Sequence, residues 1–136
     1  MSGDPGERGE RGQLRVGVLA SGAGTNLQAL LDTVHGNEAV VVAVAADRPT
    51  AAALERAAAA GIDTGAFVLA EYEDRPARDA AMARWMLERD VELVVLAGYM
   101  AILTSAFLGH FEGAVVNVHP SLLPAFPGIR AIEQAL

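Results

Sequence analysis

Apolar and polar positions alternate from Leu14 to Val18, with Arg15 and Gly17 between them, which predicts an opening strand. Leu27, Leu30, Leu31 and Val34 then fall at i, i+3, i+4 and i+7, the spacing of a helix with one apolar face, and Gly36 is placed to cap it. Val40 to Ala46 is an unbroken apolar run, as expected of a parallel strand covered on both faces. Thr50 is placed to N-cap an Ala-rich helix over 51–60, ahead of Gly61. A third strand is predicted over 64–69. Asp74 and Pro76 open a helix running through Arg89, with Met82, Trp85 and Met86 on one face. Leu93 to Ala97 reads as a fourth strand, Ile102 to Leu108 as a short helical stretch, and Val115 to Val118 as a fifth strand. Beyond it Pro120, Pro124, Pro127 and Gly128 interrupt regular structure, and Ile132, Ala135 and Leu136 return to helical spacing with no stop signal after them.

Strands alternating with helices imply right-handed crossovers and an α/β fold with a doubly wound, mainly parallel sheet. Ligands in such sheets sit at the carboxyl ends of the strands. Residues 1–12 hold four Gly, one Pro and alternating charges, and read as a disordered polar tail ahead of one domain over 13–136. The final helical register without a cap leads us to expect that this domain continues past Leu136.

Composition narrows the chemistry. Ten basic residues, all Arg, face 17 acidic ones for a net charge of −7, with no basic cluster to neutralise a nucleic-acid backbone. No Cys is present, so disulfides, thiol nucleophiles and Cys-ligated metals are excluded. No apolar run reaches the roughly 18 residues of a bilayer span, and the expected location is the cytoplasm.

Ser21-Gly22-Ala23-Gly24-Thr25-Asn26 joins the first strand to the first helix, where backbone N–H groups and the positive helix end favour an anion. The same loop also reads as a tight turn with Thr25 or Asn26 as helix cap. Gly22 and Gly24 make half of a dinucleotide fingerprint, Leu27 standing where the third Gly belongs, and Asp47 follows at the distance of a ribose ligand or a turn before Pro49. Asn117 and His119 alternate onto one side of the fifth strand, at its carboxyl end. An imidazole can exchange a proton near neutrality and a carboxamide can donate to an oxygen without titrating. That pair suits addition at a carbonyl-like carbon, or the His merely bonds the following turn. The rigid segment from Pro120 to Gly128 lies beside it, and Leu96 to Leu103 offers apolar side chains to a flat ring. His35 and His110 read as helix C-terminal residues, and no pair of His has metal-ligand spacing.

Three stretches, SGAGTNLQALLD from Ser21, ELVVLAGYMAIL from Glu92 and NVHPSLLPAFPG from Asn117, together resemble the folate-dependent phosphoribosylglycinamide formyltransferases of purine synthesis. The likeness runs from about Arg15 to Leu136. Its HPSLLPAFPG form differs from the methionyl-tRNA formyltransferases and formyltetrahydrofolate deformylases, which share Asn-x-His. The resemblance implies that Gly24, Thr25 and Asn26 hold the substrate's ribose phosphate. It also implies that Arg75, Met100, Ala101, Ile102, Leu103 and Asn117 contact 10-formyltetrahydrofolate, with Asn117 at the formyl group and His119 as proton donor. Ala101 stands where many members carry Arg, leaving more of the folate tail to Arg75. The carboxylate that partners the catalytic His in the family falls beyond Leu136, so we expect little turnover from this chain alone. Two rivals are a nicotinamide-dependent oxidoreductase domain using Gly22, Gly24 and Asp47, and a folded fragment that only binds or self-associates.

Overall fold

The computed structural model describes residues 12–33, 35, 36 and 38–118. Among the described residues five strands form one parallel sheet: β1 (Leu14–Ala20), β2 (Ala39–Ala46), β3 (Asp63–Ala66), β4 (Leu93–Ala97) and β5 (Val115–Asn117). Their spatial order is β3-β2-β1-β4-β5. The chain thus builds outward from β1 in one direction and then crosses to its other side, which leaves a switch point between the carboxyl ends of β1 and β4.

Among the described residues four helices cover the sheet: α1 (Thr25–Thr33), α2 (Ala52–Ala59), α3 (Arg75–Leu87) and α4 (Ser105–Leu108). On one face Val16, Val18, Ala20, Val41 and Val44 bury Leu27 and Leu30 of α1 and Ala53 and Ala57 of α2. On the other, Leu19, Ala43, Ala45, Val94 and Val115 bury Met82 and Met86 of α3 and Phe107 of α4. Fully burying one such Leu or Met stabilises by about 1.5–3 kcal/mol, so the predicted apolar stripes account for how these helices dock. The register of β1 on β2 skips Val42, which stands as a bulge and lets Val41 and Val44 face the same layer.

Several boundaries differ from the sequence prediction, each for a tertiary reason. Thr50 does not cap α2. Ala51 holds the N-cap position without a side-chain bond, and the Ala53 N–H is instead taken by the Gly22 carbonyl at 3.3 Å. The third strand covers 63–66, not 64–69. Its partner β2 ends at Ala46, whose carbonyl accepts the last bond from the Phe67 N–H at 2.8 Å, and a 3-10 turn over Leu69–Glu71 follows. The Ile102 to Leu108 stretch is helical only from Ser105, and the fifth strand ends at Asn117 although the Val118 N–H still reaches the Leu96 carbonyl at 3.0 Å.

The Asp74 cap is as predicted: its carboxylate accepts from the Ala77 N–H at 2.9 Å, with Pro76 in the first turn. α3 stops at Leu87. Arg15 of β1 donates to the Arg89 and Asp90 carbonyls at 2.8 and 3.2 Å, taking up acceptors just past the helix end. Gly36 follows α1 at φ +93° and donates to the Ala39 carbonyl at 2.7 Å, while the His35 ring nitrogen Nδ1 accepts from the Val41 N–H at 2.9 Å. The tail 1–11 and the segment 119–136 lie outside the described residues. Among the described residues no helix is long and apolar enough to cross a membrane.

Candidate active site

β1 delivers the chain to the turn Ser21–Gly24 at the sheet's carboxyl edge, and α1 leaves from it. Gly24 has φ +79°, and a Cβ there would sit 2.6 Å from the Ala53 Cα of α2, so both conformation and space demand glycine. The Gly24 carbonyl accepts from the Gln28 N–H at 2.9 Å, which makes Gly24 the N-cap of α1, leaving Thr25 and Asn26 inside the helix and not capping it. Their N–H groups have no partner within the helix and lie at its positive end, the arrangement that favours an anion. Arg56 of α2 braces the turn, donating from Nε to the Ala23 carbonyl at 2.9 Å and from Nη1 to Gln28 Oε1 at 3.2 Å.

Across the switch point β4 runs into Gly98 and a segment without regular secondary structure that ends at Thr104. The Met100 N–H donates to Ser21 Oγ at 3.1 Å, and a Cβ on Gly98 would lie 3.6 Å from Asn26 Nδ2. The turn at Ser21–Gly24 and the segment 98–104 are therefore in direct contact. Within that segment Met100 and Ile102 are 80% and 68% exposed, while Ala101 and Leu103 line a cavity of about 450 Å³. Asn117, the last residue of β5, lines the same cavity with Leu96 and Phe111. Of the predicted folate contacts, Asn117 is thus brought together with Ala101 and Leu103, and Met100 and Ile102 face outward. Arg75 is exposed at the start of α3, close enough for its charge to act on Tyr99. His119 lies outside the described residues.

Sequence reasoning missed a buried polar group beneath this segment. Arg78 and Asp79 of α3 are 1% and 0% exposed and paired at 2.7 Å. Arg78 Nη1 also donates to the Phe67 carbonyl at 3.3 Å. Asp79 Oδ2 accepts from both the Thr104 N–H and the Thr104 hydroxyl, at 2.7 and 2.8 Å. The signal was present: Arg78 stands four and eight residues before Met82 and Met86, on the stripe that packs against the sheet. Beside them Asp47 Oδ1, Arg78 Nη2 and Tyr99 Oη are buried without a hydrogen-bond partner among the described residues. Burial pushes the Tyr99 phenol up to about 12; the Arg78 charge opposes this, and Asp47 and Asp79 add to it. Among the described residues no group of three His, Asp or Glu is placed to hold a metal ion.

Leu27, which occupies the position of a third fingerprint glycine, is fully buried against the sheet, an arrangement that does not favour the nicotinamide reading. Comparison with known proteins points elsewhere. Residues 14–136 match the formyl transferase family. Phosphoribosylglycinamide formyltransferase of Escherichia coli is 40% identical over 125 residues, covering 90% of this chain and 59% of that protein. The trifunctional purine biosynthetic protein adenosine-3 of Drosophila melanogaster is 40% identical over 126 residues, 90% of this chain and 9% of that protein. The crystal structure of glycinamide ribonucleotide transformylase 1 from Symbiobacterium toebii superposes with a TM-score of 0.75 at 46% identity, covering 90% of this chain and 59% of that one. The chain accordingly spans about 59% of the length of these single-function relatives. A family match over residues 14–136 and a fold shared with these structures make this chain a member of the formyl transferase family.

Proposed function

We propose that this chain forms the phosphate-binding and formyl-activating part of a phosphoribosylglycinamide formyltransferase, with 10-formyltetrahydrofolate as donor. The observation that carries the reading is the contact between the two halves of the site: the Met100 N–H bonded to Ser21 Oγ joins the Gly22–Asn26 turn to the segment that leads to Asn117. Gly24, Thr25 and Asn26 take the ribose phosphate through backbone N–H groups at the start of α1. The folate lies along 98–103, with Arg75 as the nearby cation for its acidic tail.

The substrate amine attacks the formyl carbon, a C–N bond forms, and the carbonyl electrons move onto oxygen. The Asn117 carboxamide, at the edge of its cavity, donates to that oxyanion; a donor of this kind is worth ~2.7–4 kcal/mol of barrier. His119, two positions further along the chain, donates a hydrogen bond to the oxyanion as it forms and keeps its proton through the collapse. Collapse breaks the bond to the folate nitrogen, which leaves with the proton the amine has lost.

The test is parallel titration of this chain with phosphoribosylglycinamide, tetrahydrofolate and NAD, together with a formyl-transfer assay. The proposal expects saturable binding of the first two. Whatever transfer the parent chain supports, Asn117→Ala should lower it by about 10²–10³-fold. Saturable NAD binding without either of the others would overturn it.

A further inference from the structure

We propose that Asp79 is the positioning residue of the folate-facing segment, acting through Thr104. The inference rests on the functional reading above, because it concerns how that segment is held.

The segment 98–104 has no strand or helix of its own to fix it. Among the described residues its backbone is anchored at two points. At the front the Met100 N–H donates to Ser21 Oγ at 3.1 Å, and at the back Asp79 Oδ2 accepts from both the N–H and the hydroxyl of Thr104, at 2.7 and 2.8 Å. The back anchor is the stronger, since its acceptor is a carboxylate, its bonds are short and its carboxylate is wholly buried. Asp79 is itself immobilised by Arg78 Nε at 2.7 Å, and Arg78 by the Phe67 carbonyl at the end of β3. The Thr104 hydroxyl also accepts from the Ala106 N–H at 3.3 Å, so the same side chain starts α4.

Between these anchors lie Ala101 and Leu103, which line the Asn117 cavity, and the exposed Met100 and Ile102. Release of the back anchor would let those four residues move relative to Asn117 while both core layers stay packed. Asp79 touches none of the reacting atoms in this account. Its effect is to hold the apolar wall at a set distance from the carboxamide.

The test compares the parent chain with Thr104→Val, which keeps shape and removes the hydroxyl, and Thr104→Ser, which restores it. A third variant joins Arg78→Met to Asp79→Ala, removing the anchor without stranding a buried charge. Amide hydrogen exchange is read at residues 99–106 and in β1, and tetrahydrofolate binding is titrated on each protein. Expected are exchange at least tenfold faster at 99–106 in Thr104→Val and in the paired variant, no change in β1, and at least fivefold weaker tetrahydrofolate binding, with Thr104→Ser within twofold of the parent. Unchanged exchange at 99–106, faster exchange with unchanged folate binding, or failure of Thr104→Ser to rescue would each overturn the role. A parent chain that binds no tetrahydrofolate would defeat the functional reading instead, and exchange would still decide whether Asp79 holds the segment.

Discussion

Tyr99 and Gly24 show how much a single side chain, or its absence, decides at this sheet edge. The Tyr99 hydroxyl is buried without a partner among the described residues, a condition that costs about 1–3 kcal/mol for a polar group shut away from water. Tyr99→Phe is therefore expected to be neutral or stabilising at pH 7 in urea unfolding. Its folded pKa of about 12 lies above the ordinary 10.0. A raised pKa means the native state resists ionisation, so the stability it carries is intact below pH 10 and drains away as pH rises from 10 toward 12. The difference between the parent and Tyr99→Phe should consequently widen in favour of the variant across that window; parallel curves would refute it. Gly24→Ala faces both a positive φ and the Ala53 backbone, and is expected to lose at least about 2 kcal/mol and to weaken phosphate binding, measured by denaturation and titration. The need for small residues here was visible in the Gly-x-Gly pattern. Its cause, the α2 backbone pressed against the turn, was not, because that contact joins residues 29 apart in sequence.

Helix α3 was the most legible element. Asp74, Pro76 and the Met82 and Met86 stripe announced its start and its buried face, since capping and 3.6-residue periodicity are local properties of the chain. Asp74→Ala should cost about 1 kcal/mol in thermal or urea unfolding, and Asp74→Asn much less, because an amide oxygen can still accept from the Ala77 N–H. Trp85 sits at the rim of the same helix, edge-on to Phe67 at 5.6 Å and beneath the Arg89 guanidinium at 4.3 Å. The shortened β3 and the uncapped start of α2 were less legible. Both are fixed by where another element ends or offers a carbonyl, and no local pattern encodes that.

For the whole sheet, one edge is consequential. Among the described residues β5 pairs only with β4, and its other side has no strand beside it. Unpaired strand edges template further pairing. The chain should therefore self-associate as its concentration rises, and sedimentation giving a single monomer species throughout would exclude this. The parallel crossovers followed from alternating periodicities, because a β-then-α unit has one favoured handedness, whereas the spatial order of the strands came only from the structure. Arg78 and Asp79 divide in the same way. The stripe position of Arg78 was readable in the sequence, but only packing paired it with Asp79 and brought Asp79 to Thr104, 25 residues away. Periodicity and capping are written in neighbouring residues and so survive being read one stretch at a time. Anchors between distant segments exist only once the sheet has brought their ends together, and it is those anchors that set the distance between the apolar wall and Asn117.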